Sequence, residues 1–525
     1  MTAPAATAPA TKMVNLTIEG RQVSVPEGTS ILEAAKYAGI LVPHYCYHPG
    51  LPVAGVCRMC LVEVEKAPKL APSCATAVAE GQVVHVHSEK ALEARKGVLE
   101  LLLINHPLDC PICDQAGECE LQDYTYMEGR ADSRLRDPKR FNPMEDFGGD
   151  VIYVTNRCIL CTRCVRFMDT VAEDPVLNVS ERGDPAVIGK FEGHDLTHPW
   201  AGNVIDLCPV GALLSKDSLN KVRAWEVDRT ASICPNCTQG CNMIVETRDN
   251  VVVRLRPRPN EAVNRFFMCD YGRLNYRWLN RPDRVDTPIV RRGSELVRAE
   301  WEVALQAAAQ LLQGAKARVL ASPMLSNEAL GLLARLVRKT GGSGVYRVDQ
   351  GEPAPLPGVK GLARREDLGA NVRGLELLGF TRSQTPAWNL ATDDVLVVAD
   401  ESLAGIDASS IGRPRAIIVI GTTLPSWASS ASVVLPIANF TEEEGTFTNV
   451  DGRVQRFMQA KTAPGFARPS FAVLGDLLAL LGEKTGYMLA SEAFDAMATS
   501  ESSFNGLRWD ALGLRGAVAG GGAAR

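Results

Sequence analysis

Three cysteines, Cys158, Cys161 and Cys164, stand at two-residue intervals in the stretch RCILCTRCVRF, Arg157–Phe167. This spacing lets one short loop turn three thiolates towards a common centre, as C-x2-C-x2-C runs do around [4Fe–4S] clusters, where a cysteine followed by proline supplies the last ligand. The closing Cys-Pro here is Cys208-Pro209, reached only after 43 intervening residues. The chemistry such a set predicts is one-electron transfer at an iron–sulfur centre.

The other cysteines fall into comparable groups. Cys46, Cys57, Cys60 and Cys74 are separated by 10, 2 and 13 residues, which suits a [2Fe–2S] cluster. A Zn(Cys)4 site fits less well, because zinc sites usually present two close pairs and only Cys57 and Cys60 form one. His106, Cys110, Cys113 and Cys119 follow at intervals of 3, 2 and 5. Three thiolates leave a cubane one ligand short, and a neutral imidazole can replace a thiolate on iron, so His106 is the expected fourth ligand. Cys234, Cys237, Cys241 and Cys269, at intervals of 2, 3 and 27, form the last group, more cluster-like than a zinc ribbon. The 15 cysteines and His106 thus divide in chain order into four groups of four with none left over. The leading assignment is one [2Fe–2S] and three [4Fe–4S] clusters. His194 and His198 read as surface or structural residues.

The chain-wide features fit this reading. At 525 residues the chain exceeds a single core. A hydrophobic content of 46 % and a charged content of 22 % are those of a soluble globular protein, and no apolar run reaches membrane-spanning length. A net charge of −5 gives no case for nucleic acid. The first 12 residues have neither a signal-peptide nor a transit-peptide pattern and read as a disordered tail, so a reducing compartment is expected; clustered cysteines there are ligands more often than disulfides. No G-x-G-x-x-G or Walker sequence occurs, so no bound nucleotide is expected.

Among the elements that must position these groups, two strands within Met13–Val25, a helix from Ser30 to Ala38, and strands at Leu61–Glu65 and Val83–His87 match a small β-grasp ferredoxin domain. A helix from Ser88 runs to just before Pro107, and Tyr124–Asp150 reads as an irregular connection. Asp169–Ile205 is a long insertion, and a strand pair is expected around Val251–Arg258. Beyond Arg281, strands at Arg318–Pro323, Asp394–Ala399, Ala416–Ile420 and Val433–Leu435, with a helix at Asn327–Lys339, predict an α/β domain on a mostly parallel sheet. Glu443–Gly445 by itself reads as a surface turn, and the chain after about Phe494 as a mobile tail.

With these motifs the chain resembles the large iron–sulfur subunit (75 kDa type) of bacterial respiratory complex I, the NADH–quinone oxidoreductase. Its later part, with SVVLP at Ser432–Pro436 and TEEEGTFTNVDGRVQ at Thr441–Gln455, is similar to molybdopterin oxidoreductases. The fold class expected is α+β iron–sulfur domains followed by a truncated α/β domain of the molybdopterin-oxidoreductase type. The domains expected are a tail (1–12), a β-grasp [2Fe–2S] ferredoxin (13–95), a His/Cys [4Fe–4S] segment (96–145), a ferredoxin-like [4Fe–4S] domain (146–228), a molybdoenzyme-type [4Fe–4S] domain (229–285), the α/β domain without cofactor (286–493) and a tail (494–525). The resemblance implies an electron relay with no catalytic residues of its own. It implies a flavin-bearing NADH-oxidising partner, a downstream iron–sulfur subunit leading to quinone, and a peripheral place on the cytoplasmic side of the bacterial inner membrane. The Cys234 group matches an extra cluster of some bacterial members that lies off the main electron route. No molybdopterin is expected, since no cysteine follows Cys269 and only about 240 residues remain to enclose one. A formate dehydrogenase or hydrogenase large subunit with the same relay, and a structural zinc protein, are the alternatives.

Overall fold

A computed structural model describes residues 12–520 except 184, 385–388, 407 and 427. The expected tail lies almost wholly outside them. The chain divides into two compact units, one of residues 1–226 with 357–359, the other of residues 227–356 and 360–525.

The first unit begins with the β-grasp. Strands Met13–Ile18 and Arg21–Pro26 form an antiparallel hairpin whose turn places Glu19 and Gly20 at φ of 49° and 74°. Alternation along the first strand buries Val14, Leu16 and Ile18 against the helix Ile31–Tyr37. The Ser30 hydroxyl accepts from the Glu33 amide at 3.2 Å and caps that helix. Strand Val83–His85 pairs parallel with the first strand and antiparallel with Leu61–Val64. The next helix, Glu89–Leu103, is capped by Ser88. From it the fully buried Arg95 donates to the Leu61 and Val86 carbonyls at 3.2 and 2.9 Å and pairs with Glu128 at 2.5 Å.

Tyr124–Asp150 is the irregular connection its polar composition suggests only from Gly129 to Pro143, and its two ends are regular. Helix Glu120–Glu128 starts directly from Cys119, and Met144–Gly148 pairs with Val151–Val154. The helix presents only Leu121 and Tyr124 to the interior, too few to leave an apolar period in the sequence. In the insertion, strands Leu177–Ser180 and Val187–Lys190 pair with each other.

The second unit opens with a three-stranded antiparallel sheet, Asp228–Ile233, Asn242–Arg248 and Val251–Pro257. Its tight turn carries Asp249 and Asn250 at φ of 51° and 65°, values that short polar side chains tolerate. An eight-stranded sheet follows. Strands Lys316–Ala321, Ser343–Tyr346, Thr381–Arg382, Asp394–Ala399, Ala416–Gly421 and Val433–Pro436 run parallel, and Ile289–Arg292 and Glu295–Arg298 close one edge antiparallel. The wholly buried Asp394–Ala399 lies within it, as expected of a parallel strand covered on both faces.

Two expectations fail here. Glu443–Gly445 is not a surface turn: Glu443 is buried and accepts from the Ser470 amide and hydroxyl at 2.5 and 2.8 Å. The chain from Phe494 to Gly520 is not a mobile tail. It forms helices Ala490–Ser500 and Trp509–Leu512 and strand Ala517–Val518, which pairs with Arg453–Phe457, and it buries Phe494, Phe504, Trp509 and Leu512 in the main core.

Burial raises the Glu443 carboxyl to about 8 and the Glu328 carboxyl to about 7. The folded unit therefore holds protons that the unfolded chain has released above its ordinary carboxyl range near 4.5. That stability is complete below pH 4.5 and is lost as pH rises to about 8. Thermal melts of Glu443→Gln should show a flatter decline across that window than the parent; an unchanged slope would place the proton elsewhere.

Candidate metal centre

The first unit holds three of the four groups. Cys46, Cys60 and Cys74 are buried and Cys57 half-buried. Hydrogen bonds link the Cys46 thiol to those of Cys57 and Cys74, and Cys60 to Cys74. These bonds pull Cys46 well below the usual thiol range and push Cys57 and Cys74 above it. The Cys46 amide also donates to the Cys57 sulfur at 3.4 Å.

The Cys158 group lines one small cavity with all four of its sulfur-bearing residues, among apolar neighbours including Ile159, Ile188 and Leu213. Its loop curls because Leu160 and Thr162 take φ of 53° and 59°, a left-handed conformation rare outside glycine. Burial raises Cys158 and Cys208 to about 11 and Cys161 to about 12. Thiols so placed do not ionise alone; they do so when a metal supplies the compensating charge. The donor chemistry therefore fits an iron–sulfur core.

In the His106 group, Cys110 is exposed while Cys113 and Cys119 are buried, and burial raises the Cys113 and Cys119 thiols, Cys119 to about 11. Burial holds the His106 imidazole down at about 4, with Lys139 and Arg157 acting in the same direction. Its Nδ1 is buried without a hydrogen-bond partner, as suits a neutral ring awaiting an electrophile. Cys113 is pressed by the chain that carries Cys208: a Cβ on Gly211 would lie 2.3 Å from the Cys113 sulfur.

The fourth group lies in the second unit. Cys234, Cys237 and Cys241 sit on the loop between strands Asp228–Ile233 and Asn242–Arg248, and Cys269 at the start of helix Asp270–Leu274. All four are buried, and burial raises their thiols, Cys269 to about 12. Gly272 donates its amide to the Cys269 sulfur at 3.3 Å, and a Cβ there would meet the Cys234 sulfur at 3.1 Å. Gln455 covers the loop, donating to the Gly240 carbonyl at 2.9 Å and accepting from Asn242 at 2.5 Å. Among the described residues no three His, Cys, Asp or Glu side chains converge as a single-ion site.

The spacing of the cysteines says nothing of the arginines between them. Arg157 pairs with Asp109, beside Cys110, at 2.9 Å. Arg166 donates to the Cys46 carbonyl at 2.5 Å and the Cys161 carbonyl at 3.3 Å. Arg163 reaches residues next to three groups. It donates to the carbonyls of Tyr47 at 2.7 Å and Leu207 at 3.2 Å, and pairs with Glu120 at 3.4 Å. An arginine within a cysteine run gives no sign from sequence of being buried.

A crevice of about 350 Å³ opens at the carboxyl ends of the large sheet's strands, where ligands bind in α/β folds. Four of its lining residues, Asp349, Asp400, Glu401 and Glu443, are acidic. Its one basic lining residue, Arg281, is already bound by Asp283 through two contacts of 2.5 and 2.6 Å.

These features define an iron–sulfur protein, with ferredoxin-type modules preceding a domain of the molybdopterin-oxidoreductase type. Five families match in succession: the 2Fe-2S iron-sulfur cluster binding domain (11–89), the NADH-ubiquinone oxidoreductase-G iron-sulfur binding region (95–134), the ferredoxin-like domain of NADH-quinone oxidoreductase subunit 3 (148–214), the molybdopterin oxidoreductase Fe4S4 domain (227–281) and molybdopterin oxidoreductase (355–480). Its relatives include the G subunit of NADH-quinone oxidoreductase from Rickettsia felis, 40 % identical over 64 % of this chain and 50 % of the relative. The mitochondrial NADH-ubiquinone oxidoreductase 78 kDa subunit of Candida albicans is 42 % identical over 63 % of this chain and 47 % of its own. The chain spans about half the length of these relatives. Among solved structures, a chain of an NAD+-reducing [NiFe]-hydrogenase is 28 % identical over 40 % of this chain and 90 % of its own, with a TM-score of 0.35, below the value a shared overall fold gives.

Proposed function

We propose that this chain is an electron-relay subunit of an NADH–quinone oxidoreductase. It takes electrons from a flavin-bearing NADH-oxidising partner and hands them to a neighbouring iron–sulfur subunit leading to quinone. The observation that carries this is the gathering of three ligand groups in one compact unit, tied to one another through Arg157, Arg163 and Arg166. The ligands assigned are Cys46, Cys57, Cys60 and Cys74 for [2Fe–2S], and His106, Cys110, Cys113 and Cys119; Cys158, Cys161, Cys164 and Cys208; and Cys234, Cys237, Cys241 and Cys269 for three [4Fe–4S] clusters. Bound clusters supply one-electron exchange with little rearrangement. The chain's own residues fix their spacing, exclude water and set the charge around them. The domain limits given above follow the same assignment, with the last domain extended to Gly520.

The crevice argues against molybdopterin in this chain. A phosphate-bearing pterin would face four acidic side chains, one of them the protonated Glu443, with no free cationic side chain in the lining. No bond-making step is assigned. Among the described residues no helix is long and apolar enough to cross a membrane, which accords with a peripheral place on the cytoplasmic face of the bacterial inner membrane, held by partner subunits.

Elemental analysis tests the reading. Protein purified anaerobically should carry about 14 iron atoms per chain and, once reduced, give one [2Fe–2S] and three [4Fe–4S] EPR signals. Stoichiometric zinc with little iron would end it, and bound molybdenum would overturn the cofactor assignment.

A further inference from the structure

We infer that Arg163 sets the reduction potential of the Cys158 group and is a positioning residue shared by three of the four groups. The inference rests on the iron–sulfur reading above. Arg163 stands between two ligands, in Cys161-Thr162-Arg163-Cys164, yet its side chain is only 5 % exposed. Each of its hydrogen bonds ends next to a ligand of a group: on the carbonyl of Tyr47 beside Cys46, the carbonyl of Leu207 beside Cys208, and the carboxylate of Glu120 beside Cys119. A guanidinium keeps its charge under all ordinary conditions, and its planar fork holds several acceptors in one rigid geometry.

Its placement has an electrostatic consequence. One-electron reduction adds a negative charge at the cluster, drawn from an external donor, and leaves the buried arginine unchanged. A fixed cation nearby therefore favours the reduced state, the more so where water is scarce. The counter-charge is incomplete: Glu120 pairs with Arg163 only at 3.4 and 3.5 Å and is 38 % exposed. Arg166 adds a second cation, bridging the Cys46 and Cys161 carbonyls, but is more exposed to water than Arg163.

The experiment is an EPR-monitored redox titration of the full-length, cluster-loaded chain and two variants. Arg163→Met should shift the Cys158-group midpoint to more negative potential, by at least about tenfold in the reduced-to-oxidised ratio at fixed potential, or about 59 mV for one electron. The Cys234 group, which receives none of Arg163's hydrogen bonds, is the internal reference and should not move. Glu120→Gln removes the opposing charge and should shift the Cys158 group in the positive direction. Four assembled centres with an unmoved Cys158 midpoint in Arg163→Met would overturn the inference and leave the relay reading standing. If Arg163→Met fails to assemble that centre, the sign of the Glu120→Gln shift decides: a positive shift supports the inference, and a zero or negative one overturns it. Absence of iron–sulfur signals in the parent protein would overturn both.

Discussion

Gly211→Ala should remove the His106-group cluster while leaving the other three in place. The added methyl would sit 2.3 Å from the Cys113 sulfur and 3.1 Å from the Gln115 Cβ, well inside contact distance. Neither side can yield cheaply. The Gly211 chain is held through its neighbours, since Cys208 lines the cavity of its own group and the Pro209 carbonyl accepts from the Glu120 amide at 3.0 Å. Cys113 lies on a short turn fixed by its amide's bond to the Cys110 carbonyl at 3.4 Å. Overpacking of this kind typically costs about 1–3 kcal/mol in a plain core. Here the displaced atom is a ligand, and ligand geometry is less tolerant than packing. Iron should fall by about four atoms per chain, with loss of one [4Fe–4S] EPR signal. A full iron count would show that the loop relaxes around the methyl group.

Ending the chain after Ala493 should unfold the second unit's α/β core. Phe494 and Phe504 are fully buried and Trp509 is 5 % exposed, and all three belong to the core that packs the large sheet. Losing a buried Phe or Trp side chain costs about 3–5 kcal/mol. Three such losses approach or exceed the roughly 5–15 kcal/mol that holds a whole domain. The truncation also strips Ala517–Val518 from strand Arg453–Phe457, and with it the Leu514 and Arg515 carbonyls that accept from Arg258 and Asn260 at 3.0 and 3.2 Å. Limited proteolysis should then cut throughout the α/β core, whereas the first unit, with its separate core, should resist as before. A truncated chain that melts as the parent does would refute this role for residues 494–520.

Local chemistry made much of this protein legible without coordinates. Cysteine spacing is a short-range property of the backbone, so the grouping of Cys158, Cys161 and Cys164 follows from the length of two residues. Cap residues such as Ser30 and Ser88 and the apolar run Asp394–Ala399 likewise announce their elements, because each acts within one turn or one strand. The C-terminal residues misled for the same reason. Alanine favours a helix and glycine opposes it, so their mixture gives no consistent local signal, and Phe494 and Trp509 look like scattered aromatics until the sheet exists for them to cover. Glu443 misled too, as three successive glutamates suggest solvent; only the fold supplies the Arg284 and Ser470 partners with which Glu442 and Glu443 are buried.

The sequence by itself determined how many thiolates and imidazoles could be offered, and in what groups, since ligand identity and loop length are written residue by residue. It left undecided what lies between the groups. Arg163 meets Tyr47 across 116 residues, and Gly211 meets Cys113 across nearly as many. Contacts at such separation carry no periodic or local signal. They exist only when independently folded loops pack together, and the charge surrounding each group is set there, in the tertiary structure.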